Sequence, residues 1–129
     1  MAFQTFLTTT ITGTSTQIVL FDDVRLNLGG AYKPLHGNFI APMGGTYMFT
    51  VYVCSGNGHG MVLDLMLNGD SIGRVLTAAQ DNHECNTGAW VRTLQSGDDV
   101  YVSYGTYGDL LYVNPKYGEP NFMGVLLHA

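Results

Sequence analysis

The stretch Thr46-Tyr47-Met48-Phe49-Thr50-Val51-Tyr52-Val53 decides the fold. In an extended chain successive side chains point to opposite faces. Tyr47, Phe49, Val51 and Val53 therefore share one face, and Met48, Thr50, Tyr52 and Cys54 share the other. Both sets are rich in apolar groups, so the stretch reads as a strand buried on both faces. Downstream, Met61, Leu63, Leu65 and Leu67 face inward, with Val62, Asp64 and Met66 opposite. Asn68-Gly69 follows, a strong two-residue hairpin signal, and Ser71 to Thr77 is the expected return strand. Further strands are expected over Ala89 to Leu94, Val100 to Tyr104 and Phe122 to Leu127. Phe3 to Leu7 and Gln17 to Phe21 fill the N-terminal side. Arg74 to Thr87 lacks Gly and Pro for long enough to be a helix. Its apolar residues do not fall at helical spacing, so it reads as strand plus loop. Short strands separated by Gly, Asn, Asp and Pro turns are the pattern of a β-sandwich or jelly roll.

Composition narrows the class. The chain has 129 residues, 46% hydrophobic and only 12% charged. One domain over 1–129 is expected, with no repeat, linker or low-complexity stretch. Disorder is excluded, because it needs low hydrophobicity and high charge. The net charge is −5 with five Lys plus Arg, so no basic stripe exists to track nucleic-acid phosphates or to dock on an acidic membrane. No apolar run approaches the ~18 residues of a membrane-spanning helix, so membrane insertion is not expected. Met1-Ala2-Phe3-Gln4-Thr5 does not open a secretory leader. A secreted protein would have lost that leader already.

The chemistry-bearing residues are sparse. No nucleophile elbow, phosphate loop or zinc-protease helix motif occurs. Asp22-Asp23 and Asp98-Asp99 are neighbours. On a strand, neighbours point to opposite faces and cannot share a proton. Catalysis is therefore not expected. Asp81-Asn82-His83-Glu84-Cys85-Asn86 gathers ligand-capable side chains in one loop. Its oxygens suit calcium, and His83 with Cys85 would suit a softer metal such as zinc; a solvated loop is the plainer reading. Cys54 and Cys85 either form a bridge or remain two buried thiols, and the sequence leaves both open. Tyr101, Tyr104, Tyr107, Tyr112 and Tyr117 suit interfaces and sugar-stacking surfaces, although alternate rings on a strand belong in the core. So many apolar strand faces with so few charges predict a self-association surface.

Taken in order, several motifs resemble a known family. Phe21-Asp22-x-Val24-x-x-Asn27-x-Gly29 is followed by Tyr32. Gly37-x-Phe39-x-Ala41-Pro42-x-x-Gly45-x-Tyr47-x-Phe49 comes next. Leu67-Asn68-Gly69, Leu94-x-x-Gly97-Asp98-x-Val100 and Phe122-x-Gly124-x-Leu126-Leu127 complete the set. Together they span almost the whole chain. The chain resembles the globular head domain of the C1q/TNF superfamily, in its C1q branch, and looks most similar to short secreted C1q-domain proteins of invertebrates. The resemblance implies an all-β, ten-stranded jelly roll of two five-stranded antiparallel sheets. It implies a homotrimer and secretion to the extracellular space. It makes Phe21, Phe39, Tyr47, Phe49 and Phe122 structural, in core or trimer contact. It also implies binding without catalysis and, as in some members, calcium held by acidic residues in the loop before the strand leading to Gly97-Asp98; Glu84 falls at one such position and Asp81 is the nearest candidate for the second.

The expected function is a secreted, trimeric recognition module, lectin-like and innate-immune, for glycans or other microbial-surface patterns. Three weak sites on one trimer would gain affinity through avidity. The expected ligand residues are Asn57, His59, Asn82, His83, Tyr104, Tyr107 and Asp109, with Asp81 and Glu84 as metal ligands. Two alternatives are a structural domain that trimerises an extracellular matrix partner, and a heavy-metal binder using His59, His83, Glu84 and Cys85.

Overall fold

The computed structural model describes residues 1–129 except 107, 109, 115 and 117. Among the described residues the regular elements are all strands: β1 (Ala2–Phe6), β2 (Ile11–Thr12), β3 (Asp23–Leu28), β4 (Tyr32–Lys33), β5 (Asn38–Ile40), β6 (Gly45–Ser55), β7 (Gly60–Leu67), β8 (Asp70–Ala78), β9 (Glu84–Leu94), β10 (Asp99–Tyr104), β11 (Leu110–Leu111) and β12 (Asn121–His128). Ten of them build two five-stranded sheets, ordered β3-β1-β12-β6-β9 and β4-β5-β10-β7-β8. β11 and β2 form a two-stranded ribbon. The pairings are antiparallel throughout, giving a jelly roll. The first and last strands are neighbours, and Leu126 N donates to the carbonyl of Met1 at 2.9 Å.

The period-two reading of β6 and β7 places the core. Tyr47, Phe49, Val51 and Val53 are buried, as are Met61, Leu63 and Leu65. Across the sandwich the Phe3 ring stacks on Tyr32 at 5.2 Å and on Phe39 at 5.1 Å, and meets Phe122 edge-on at 4.9 Å. Phe21, Phe39, Tyr47, Phe49 and Phe122 are all core residues. Each buried ring contributes about 1.5–3 kcal/mol, and each well-placed ring pair about 0.5–1.5 kcal/mol more. Gly124 lies beneath this cluster, where a Cβ would collide with the rings of Phe3 and Phe49.

Asn68 and Gly69 adopt φ of 50° and 89°, as a tight two-residue hairpin needs. Asn68 also ties this turn to the next one. Its Nδ2 donates to Asp98 Oδ1 at 3.0 Å, and its Oδ1 accepts from Asp99 N at 2.9 Å. Asp98 Oδ2 accepts from Gln95 N at 2.8 Å. That backbone bond first, and the Asn68 amide second, hold the Asp98 carboxyl below its ordinary range.

The structure adds strands at Asp23–Leu28 and Asn38–Ile40 that the sequence reading did not list, and departs from the expected strands in three further places. Gln17 to Phe21 is not a strand: Ile18 makes an isolated bridge with Ser103, and Val19 N donates to Val102 O at 2.8 Å. β5 already occupies this edge of β10 over Asp99 to Tyr101, so only a short stretch is left to pair. β9 begins at Glu84 rather than Ala89, because it follows β6 along its full length. Finally, the second face of β6 is only partly covered, with Cys54 buried. Met48, Thr50 and Tyr52 on that face are half-buried.

Tyr32 is buried, and its hydroxyl donates to the carbonyl of Phe21 at 3.0 Å. Burial pushes its pKa up to about 12. The unfolded chain ionises this phenol near 10.0, so its contribution to stability is complete below that pH and is lost as pH rises to about 12. Thermal melts across that window are expected to fall. Tyr32→Phe is expected to flatten the fall, at a cost of about 1 kcal/mol near pH 7 from the lost hydrogen bond.

Candidate functional site

Two adjacent connections close one end of the sandwich. Between β6 and β7 the chain turns at residues 56–59, with Gly58 at φ 75° and His59 N donating to Gly56 O at 2.9 Å. Between β8 and β9 runs the loop 79–83. Ala79 N donates to the carbonyl of His59 at 3.0 Å and joins the two connections. Asn82 takes a left-handed φ of 60°, which Asn tolerates better than most residues. The Glu84 carboxylate accepts from Ala78 N at 2.9 Å, closing the loop on itself. Asn86 Nδ2 donates to Leu76 O at 2.7 Å.

The loop rests on a covalent base. Cys54 and Cys85 face each other directly across β6 and β9 and form a disulfide of 2.04 Å. Gly118 packs over it, where a Cβ would come within 2.8 Å of Cys85 Sγ and 2.9 Å of Cys54 Sγ. His83 stacks on Tyr112 at 5.7 Å between ring centroids. Tyr112 N in turn donates to Cys54 O at 3.1 Å.

The fold thus gathers Asn57, His59, Asp81, Asn82, His83 and Glu84 at one end. All are exposed except His83, which is half-buried. Ala78, Ala79, Gln80, Asp81, His83 and Glu84 line a shallow open hollow there. Tyr104 does not join them. It is 2% exposed, with its ring packed over Gly13, because it continues the inward alternation of Val100 and Val102 along β10. Tyr107 and Asp109 lie outside the described residues.

For a metal, the arrangement is thin. Among the described residues no group of three or more His, Cys, Asp or Glu side chains lies close enough to hold an ion. Calcium at this loop has the carboxylates of Asp81 and Glu84 to draw on, and Glu84 already accepts a backbone bond. A softer metal loses the Cys85 thiolate, which the disulfide consumes.

A second surface was not anticipated residue by residue. The register of the first sheet lines up Leu28, Ala2, Val125, Met48 and Val91 in one row across all five strands. Leu26, Gln4, Met123, Thr50 and Ala89 form the next row. Both rows lie on the face away from the core, since their neighbours Phe3 and Phe49 are buried. Leu28 is 59% exposed and Val91 56%. These two rows carry no charged side chain; beyond them on the same face Arg25 lies over Phe6 and pairs with Asp23 and Glu119.

The C1q domain model matches residues 2–127. The chain belongs to the C1q domain family. This C1q domain is 30% identical over 113 residues to mouse (Mus musculus) complement C1q tumor necrosis factor-related protein 2, covering 86% of this chain and 38% of that protein. It is 31% identical over 118 residues to the heavy metal-binding protein HIP of Mytilus edulis, covering 87% of this chain and 53% of that protein. The chain therefore spans only part of the length of these relatives. The globular domain of the zebrafish complement 1qA protein superposes with a TM-score of 0.74 at 21% identity, over 98% of this chain and 96% of that one. That likeness supports the two-sheet jelly roll as the fold.

Within this C1q domain the disulfide closes a loop of about 30 residues, worth roughly 3–4 kcal/mol by its effect on the unfolded chain. Replacing both Cys54 and Cys85 by Ala is expected to cost that much in chemical denaturation. Amide exchange at residues 79–86 is expected to rise more than in the centre of β6.

Proposed function

We propose that this C1q domain is a secreted, homotrimeric, non-catalytic recognition module. The observation that carries the reading is the apolar row Leu28–Ala2–Val125–Met48–Val91 on an outward sheet face. Exposed apolar patches of this kind mark association surfaces. A head-to-tail contact that closes on itself makes a ring, and three copies suit the family resemblance. The cross-strand disulfide supports an oxidising, extracellular setting.

In this reading the loop end formed by 56–59 and 79–84 is displayed three times on one assembly. Asn57, His59, Asn82 and His83 supply neutral hydrogen-bonding groups for glycans or other microbial-surface molecules. Each contact is weak alone, and the second and third become intramolecular. The calcium form of the reading uses Asp81 and Glu84. The same apolar face also supports an assembly role, in which the domain trimerises a longer extracellular chain.

Sedimentation equilibrium tests the core of the proposal. The unaltered protein is expected at three times the monomer mass. Leu28→Asp combined with Val91→Asp is expected to give a folded monomer; a monomeric unaltered protein overturns the reading. A binding panel of glycans, lipopolysaccharide and peptidoglycan, run with calcium and with EDTA, then separates recognition from assembly. Binding to any of them supports recognition, loss in EDTA supports the calcium form, and a trimer that binds none supports assembly.

A further inference from the structure

The second sheet carries a cleft on its outer face, on the side of the sandwich opposite the apolar face of the first sheet. β7 and β10 run side by side there, with Met66 opposite Tyr101 and Asp64 opposite Ser103. Their alternates Leu63, Leu65, Val100 and Val102 are buried in the core, so this set faces outward. Ser15 and Thr16 form one wall, held against β10 by the bond from Thr16 N to Tyr104 O at 2.9 Å. Gly105 and Thr106 form the far end. The cleft has a volume of about 290 Å³. That is the small end of the range for ligand clefts, roughly 300 Å³ upward.

We propose that this cleft binds a neutral saccharide of one or two rings. The proposal rests on the recognition reading and moves its ligand from the loops to the sheet. Four features support it. Asp64 has a side chain only 16% exposed, with Oδ1 accepting from Arg74 Nε at 3.0 Å. Its other carboxylate oxygen makes no hydrogen bond among the described residues, and charged acceptors of this kind hold sugar hydroxyls strongly. Ser103 is 4% exposed as a residue, stands opposite Asp64 and lines the same cleft. A serine hydroxyl can donate to or accept from a sugar hydroxyl. Tyr101 adds an aromatic surface with a polar tip, the combination that suits the apolar face and hydroxyl rim of a sugar ring. Arg74 is neutralised by Asp64, so the site holds no spare cation to favour phosphate or sulfate.

The test is amide chemical-shift mapping of the intact protein with the methyl glycosides of mannose, galactose, fucose and N-acetylglucosamine. Shifts centred on residues 64, 66, 101 and 103 are expected. Asp64→Asn is expected to weaken binding about tenfold or more, since it removes a charged acceptor. Ser103→Ala is expected to weaken it less, and both variants are expected to keep the spectrum of the folded protein. Shifts confined to residues 57–59 and 81–86 overturn the cleft and leave recognition standing. No shift with any sugar, while the protein still binds a microbial surface, also overturns the cleft alone. No shift and no surface binding overturn both.

Discussion

Because β6 pairs β9 residue for residue from Gly45 with Leu94 to Ser55 with Glu84, the position of one end of the molecule is set by the other. The inward side chains of β6 fill the core, and its edges carry β12 and β9. A slip of one residue would turn Tyr47, Phe49, Val51 and Val53 to the outside. It would also separate Cys54 from Cys85. The buried rings and the disulfide therefore enforce the same register from two directions, one by packing and one by a covalent bond. The candidate loop end inherits this precision, since both of its connections leave from strands held in that register.

The two sheets use their outer faces differently. The first sheet shows aliphatic side chains and few charges, a surface suited to protein and poorly suited to water. The second shows a carboxylate in an ion pair, hydroxyls and a tyrosine around a cleft. One face can be covered in an assembly while the other remains open to solvent. Association and ligand capture need not compete for the same residues.

Much of the fold was legible because β6 and β7 alternate cleanly and Asn68-Gly69 is an unambiguous hairpin signal. Tyr104 was legible in principle: it continues the alternation of Val100 and Val102, and that period outweighs the membership of a tyrosine-rich tract. The disulfide was not legible, because two cysteines permit one pairing but do not require it. Pairing follows only once β6 and β9 are placed opposite each other. The apolar row was hidden for the same reason. Leu28, Ala2, Val125, Met48 and Val91 come from five strands far apart in sequence, and only cross-strand register makes them neighbours. Gln17 to Phe21 misled because its apolar content is that of a strand while the edge it meets is largely taken.

The adjacency of β1 and β12 has a consequence for how the domain can be joined to other things. Ala2 lies opposite Val125 and His128 opposite Thr46, so both chain ends emerge at the Gly45 pole of β6. The loops at 56–59 and 79–84 sit at the Ser55 pole. A tether attached at either end would leave from the same pole and point those loops outward, like a hand held away from its arm. The same closeness means that a short linker could splice the two ends together. The chain could then be reopened at the exposed Asn57-Gly58 turn without cutting any strand, giving a circular permutant with an unchanged core.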